Sequence, residues 1–289
     1  MSNPGSGRRE RAAAANASAM SSERRRERTV RIVGAITVVV VVVAIIVTAV
    51  WVKRSGSDSG GSATPTATAD PNAKLPTGVL ATGDPYEYGV PYGKAGANVP
   101  VLEIWEDFQC PSCDAVEKAN GAGIEALANQ GKIRLIWRPT TFLDGNLKND
   151  SSSRAAAAWG CAIDAGKAAE YHNTIYANQP KEGVGYTDAN FVEFAKSAGI
   201  TGAALDTFTT CLNDHTYLPW AATSTQVFYD KNIPGTPAGF LDGTEVAPKD
   251  LADPAALTAL IDKATAAKAS GGAASPSAAS PAAASPAAS

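Results

Sequence analysis

The four residues Cys110-Pro111-Ser112-Cys113 constrain this chain more than any other feature, because of where they fall. They follow an apolar run at 99–105 and open a helix-like stretch over 114–130. A strand that ends at a helix N-terminus sets the first sulfur against unpaired backbone N–H groups and the positive end of a helix dipole. Both favour thiolate over thiol, and thiolate is the species that attacks disulfides. The second sulfur, one helical turn on, is placed to close back on the first. The unit reads as a redox dithiol.

The rest of the chain says where such a dithiol would work. A net charge of -3 over 289 residues gives no reason to expect nucleic acid as a partner. The charge is uneven, with eight arginines against three glutamates between Arg8 and Arg31. Residues 32–52 follow with no charge at all and a valine run at 38–43. At 1.5 Å per residue, some 21 residues give about 30 Å of helix, the thickness of a bilayer core. The basic flank sets the N-terminus inside, against only Lys53 and Arg54 on the other side. A cleaved signal peptide is the competing reading, with Val47-Thr48-Ala49 as a weak cleavage site and an apolar core longer than such peptides use. On either reading the four cysteines lie beyond the apolar segment, in a compartment where disulfides persist.

Five segments follow: a basic cytoplasmic stretch at 1–29, a transmembrane helix at 30–52, a disordered linker at 53–84, a folded domain at 85–268 and an Ala/Ser/Pro-rich disordered tail at 269–289. The domain is long enough for one sizeable core. Its pattern is mixed α/β. Strands are predicted at 99–106 and 132–138, with the helix at 114–130 crossing between them as a βαβ unit ended by Gly131. Helices fill 153–164, 167–178, 187–198, 205–212 and 221–231; strands return at 238–243 and 244–247, and a last helix spans 254–267. Strands, a helical block, then strands again describe a sheet domain with a helical insertion at about 145–231.

At this point four local matches carry a resemblance. Asp107-Phe-Gln-Cys-Pro-Ser-Cys113, the helix segment from Ser153 to Cys161, Ala169-Glu-Tyr-His-Asn173, and the segment opening Gly235-Thr236-Pro237 resemble, in order and spacing, the DsbA-like branch of the thioredoxin superfamily. The resemblance implies a thioredoxin-like core with an inserted helical domain. It also implies a cis peptide between Thr236 and Pro237 lying against the dithiol. Pro237 lacks an N–H, and the backbone of Thr236 would then pair with an extended substrate segment.

Residue by residue, Cys110 is the expected nucleophile and Cys113 its disulfide partner. Pro111 suits the first helical turn, where its missing N–H costs nothing, and Ser112 brings no cation. Many thioredoxin-type domains place a buried acid six residues before the first cysteine; Ile104 stands there in this chain. Glu106 shares that strand face by alternation and is the candidate substitute for proton transfer, ahead of Glu103 and Asp107. In an exported domain an even cysteine count favours pairing, and the closeness of Cys110 to Cys113 leaves Cys161 with Cys211 as a structural disulfide; two free buried thiols are the alternative. His172 and His215 match no common ligand spacing, so no metal site and no cofactor are expected.

The functional expectation is an extracytoplasmic, membrane-tethered thiol–disulfide oxidoreductase, with oxidation of exported protein thiols favoured. The resemblance implies a quinone-linked membrane oxidant as partner. Disulfide reductase or isomerase activity is the first alternative, and a non-catalytic thioredoxin-like binding domain the second.

Overall fold

The computed structural model describes residues 67–94, 96 and 98–270. The basic segment at 1–29, the apolar segment at 30–52 and the tail beyond residue 270 lie outside them. Among the described residues no helix is long and apolar enough to cross a membrane.

Strands β2 (Val101–Glu106) and β3 (Arg134–Pro139) run parallel, with Val101 opposite Arg134 and Glu106 opposite Pro139. A parallel pair needs a long crossover, and a continuous helical path supplies it. That path comprises α1 (Pro111–Val116), a π-helical turn (Glu117–Gly121) and α2 (Ala122–Asn129). Gly131 ends it at φ 72°, in the left-handed region that glycine enters without a Cβ penalty. Strand β1 (Val90–Tyr92) pairs antiparallel with β3; β4 (Ala238–Leu241) pairs antiparallel with β2, and β5 (Thr244–Val246) with β4. The sheet order is β1-β3-β2-β4-β5, so the two parallel strands sit inside and the antiparallel ones flank them.

Between β3 and β4 come α3 (Phe142–Leu147), α4 (Ser151–Asp164), α5 (Ala168–Ala177), α6 (Asp188–Ser197), α7 (Ala203–Asn213) and α8 (Leu218–Asp230). Two further helices, α9 (Pro248–Leu251) and α10 (Pro254–Ala269), follow the sheet. The helical block therefore opens slightly before the predicted residue 145. Asp144-Gly145-Asn146 reads as a turn in isolation. Here the Asp144 carboxylate accepts the backbone N–H groups of Ser152 and Ser153 at 2.7 and 2.8 Å, fastening α3 to the start of α4.

Alternation along the strands separates two cores. Leu102, Ile104, Leu135 and Trp137 join Val116 and Ile124 of the crossover and Trp159, Tyr171 and Tyr176 of the insertion in one buried cluster. The opposite face holds Trp105 with Phe228 and Ile233. There the Arg138 guanidinium lies 4.1 Å from the Trp105 ring and 2.9 Å from Glu103. Tyr171 and Tyr176 of α5 and Phe191 and Phe194 of α6 are buried. A disulfide joins Cys161 of α4 to Cys211 of α7, 50 residues apart.

The linker expected over 53–84 corrects at its C-terminal end: residues 67–84 lie along the domain. The Asp70 N–H donates to the Thr223 hydroxyl at 2.9 Å, the Thr77 N–H donates to Asp164 at 2.8 Å, and Val79 is buried in the main core. Composition made this stretch look too polar to fold. Its polar groups instead find partners on α4 and α8, an outcome that depends on tertiary neighbours.

Candidate active site

Cys110 is the N-cap residue of α1, with extended backbone (φ -77°, ψ 117°) and Pro111 at the first helical position. The loop before it is pinned by the helical insertion. Gln179 donates through Nε2 to the carbonyls of Phe108 and Cys110 at 3.0 and 3.1 Å, and the Tyr186 hydroxyl donates to Phe108 at 2.7 Å. Asp107 accepts from the Gln109 and Leu143 N–H groups and, at 2.5 Å, from the Ser152 hydroxyl. Burial pushes the Asp107 carboxyl up to about 7 against the pull of those three hydrogen bonds. Its oxygens are thus committed to holding the loop, and Glu103 is committed to Arg138 on the far face of the sheet.

The dithiol itself is asymmetric. Cys110 retains 6% of its exposure and Cys113 none, while Pro111 and Ser112 between them are exposed. The Cys110 thiol donates to the carbonyl of Thr236 at 3.3 Å, and the peptide bond from Thr236 to Pro237 is cis. The Cys110 thiol is lowered from 9.0 to about 6. The largest cause is a hydrogen bond from the Cys113 thiol, followed, after an opposing burial effect, by Thr236 and the N–H groups of Cys113 and Ser112. Burial drives Cys113 the other way, well above 9.0, and a charge on Cys110 adds to it. The helix N-terminus that sequence placed first is therefore present but secondary; the partner thiol is the larger donor.

This split fixes a pH response. Because the folded pKa of Cys110 lies below the unfolded value, its stabilising contribution is complete above pH 9.0 and is lost as pH falls through about 6. At pH 7 the thiolate contributes on the order of 1 kcal/mol to the reduced fold. The alkylation rate of Cys110 by iodoacetamide is expected to reach half its maximum near pH 6. A midpoint near 9 would remove the asymmetry.

Behind the dithiol, Glu106 ends β2 buried, its Oε2 2.9 Å from His172 Nε2 of α5. The imidazole is walled by aromatic rings, stacked on Trp137 at 4.6 Å and edge-on to Tyr176 at 5.0 Å. Glu117 completes the group: one ligand-type atom each from Glu106, Glu117 and His172 lie within 4.8 Å of one another. A divalent cation could use such a trio, but the carboxylate–imidazole hydrogen bond already occupies Oε2 and Nε2. Burial pushes Glu106 up to about 8 and Glu117 well above its ordinary value, with the charge of Glu106 as the next cause for Glu117.

A family model described as thioredoxin, Thioredoxin_4, matches residues 86–263. The chain belongs to this thioredoxin family. A search of curated proteins found no match. Among solved structures, MdbA from Actinomyces oris, a thiol-disulfide oxidoreductase, is 25% identical with a TM-score of 0.56, over 68% of this chain and 96% of that one. Oxidized DsbA from Mycobacterium tuberculosis is 24% identical with a TM-score of 0.51, over 63% and 96%. Oxidised BdbD from Bacillus subtilis is 18% identical with a TM-score of 0.53, over 70% and 100%. These last two share the thioredoxin-like fold with its helical content.

Within that fold, the predicted residues Cys110, Cys113, Thr236 and Pro237 converge, and Glu106 lies on the buried side of the dithiol. Cys161 and Cys211 lie elsewhere, within the insertion. His172 and Glu117 were not singled out as functional from sequence.

Proposed function

We propose that this protein is an extracytoplasmic, membrane-tethered oxidase that passes its Cys110–Cys113 disulfide to thiols of exported proteins. The chain is a protein thiol–disulfide oxidoreductase. The observation that carries the chemistry is the asymmetric placement of the two sulfurs: Cys110 caps α1 against the Thr236 carbonyl before a cis-proline, its thiol lowered to about 6, while Cys113 is fully buried and raised well above 9.0. A stabilised thiolate lowers the energy of the dithiol, and that makes the disulfide form the stronger oxidant. A substrate thiolate attacks Cys110 Sγ, the Cys110–Cys113 bond breaks and Cys113 leaves with the electron pair. A second substrate thiol then attacks the mixed disulfide, and Cys110 leaves as thiolate. Glu106 is the buried acid nearest in role to the proton acceptor of thioredoxin-type sites.

The uncharged run at 32–52 and its basic flank support the tether, with the N-terminus cytoplasmic and the domain outside. Reoxidation would fall to a quinone-linked membrane partner. The deciding measurement is the reduction potential of the pair, equilibrated against glutathione. A value at or above about -150 mV supports the oxidase, and one at or below roughly -250 mV makes the protein a reductase. A pair inert to glutathione would return it to a binding domain.

A further inference from the structure

The buried trio behind the dithiol contains more than a proton acceptor needs. Cys113 is fully buried, so the proton it gains as a leaving group, or sheds before attack, has no direct route to water. Glu106, whose charge acts on Cys113, is itself only 4% exposed. Oε2 meets His172 Nε2, Oε1 has no hydrogen-bond partner among the described residues, and the Glu117 carboxyl lies close enough to share a proton with Glu106.

Glu117 differs from the other two in being only half-buried as a residue, which makes it the member of the trio nearest solvent even though burial is what raises its carboxyl. It is also held inward by the backbone. It opens the π-helical turn, a widened helical turn of the kind that recurs at functional sites. A Cβ on Gly121 would come within 2.2 Å of Glu117 Oε2. Gly121 has ordinary helical surroundings, where glycine costs about 1 kcal/mol against alanine. A side chain there would displace the Glu117 carboxylate from its present position.

His172 has a complementary property. With its proton on Nε2 it donates to Glu106 Oε2 whether or not the other oxygen of Glu106 carries a proton, with no heavy atom moving, while the surrounding rings of Phe108, Trp137, Trp159 and Tyr176 hold the imidazole in place. On its other side Nδ1 lies 3.3 Å from Asn173 Oδ1.

We propose that Glu117 and His172 are positioning residues for the thiol chemistry: with Glu106 they form a buried proton path that serves Cys113 and opens to solvent at Glu117. As Cys113 leaves with its electron pair, Glu106 gives it a proton, Glu117 reprotonates Glu106, and water restores Glu117. The reverse order empties Cys113 for attack. His172 keeps the Glu106 carboxyl aimed through both protonation states. The groups facing this path are Cys110 and Cys113 on α1, Asp107 beyond β2, Glu125 on α2 and Tyr176 on α5. This inference rests on the oxidoreductase reading.

The test uses the full chain carrying a glutathione adduct on Cys110, and follows release of glutathione as Cys113 attacks, across pH. Glu106→Gln is expected to slow release about a hundredfold, and Glu117→Gln and His172→Gln roughly tenfold. All three should flatten the pH dependence while the alkylation rate of Cys110 keeps its midpoint. Gly121→Ala should reproduce the Glu117→Gln profile although every carboxylate remains, which separates carboxylate position from mere content. Wild-type pH profiles in both Glu117→Gln and Gly121→Ala would overturn the path. So would stoichiometric zinc binding by the wild-type protein that Glu117→Gln abolishes, since the trio would then be a metal centre. If the wild-type chain itself never forms or resolves the adduct, the oxidoreductase reading fails first, and that result is distinguishable from unchanged variants of an active enzyme.

Discussion

Replacing Cys110 with serine is expected to bring thiol–disulfide exchange to background, a loss on the order of 10³-fold or more. The argument rests on ionisation. With its thiol at about 6, Cys110 is mostly thiolate at neutral pH, whereas a serine hydroxyl at the same place ionises negligibly. Cys113→Ser should behave differently. The entry sulfur survives, the resolving sulfur is gone, and a mixed disulfide on Cys110 accumulates, visible as a mass adduct. Comparing serine with alanine at 113 probes the source of the acidity. The Cys113 thiol is the largest stabiliser of the Cys110 thiolate, and a serine hydroxyl can donate in its place while alanine cannot. Cys113→Ala should therefore raise the Cys110 titration midpoint more than Cys113→Ser does. Retained exchange in Cys110→Ser, or turnover without adduct in Cys113→Ser, would reassign the nucleophile.

The legible parts of this protein are those where local pattern and tertiary outcome agree. The βαβ unit was readable because alternation marks β2 and β3, and because Gly131 has both the position and the φ of a helix stop. Strand β1 was not readable: three residues between glycines carry no period, and only pairing with β3 makes them a strand. The α1–α2 crossover was read as one regular helix, and nothing in its composition reveals the π-turn at Glu117. The same division runs through the site. Cys110 and Cys113 announce themselves by spacing, but Glu106 and His172 are 66 residues apart and meet only because α5 packs across the end of β2. His172 sits between Tyr171 and Ile175 on a helix whose inward face is apolar, where a histidine reads as a satisfied core residue. The ranking of causes behind the Cys110 thiolate was likewise out of reach. Helix position is a sequence property, but the orientation of the Cys113 thiol is not.

The largest stability effect should come from the disulfide far from the chemistry. Cys161 lies buried on α4, the insertion's central helix, and Cys211 on α7 is half-buried. The crosslink closes a loop of 50 residues. Chain-entropy arguments value such a closure at about 4 kcal/mol, acting by restricting the unfolded chain. For a domain of this size, each kcal/mol moves Tm by about 2–4 °C. Cys161→Ala with Cys211→Ala should then melt roughly 8–16 °C lower. Cys110 alkylation should keep its rate and pH midpoint, because the loop around the dithiol is held by Gln179, Tyr186 and Ser152 through their own hydrogen bonds. The experiment also divides the two cysteine pairs by chemistry. Mild reductant that opens Cys110–Cys113 should leave Tm almost unchanged, and only reductant strong enough to open Cys161–Cys211 should reproduce the double variant. A double variant as stable as the parent would mean that α4 and α7 are held by packing alone, and the crosslink would then need a role other than stability.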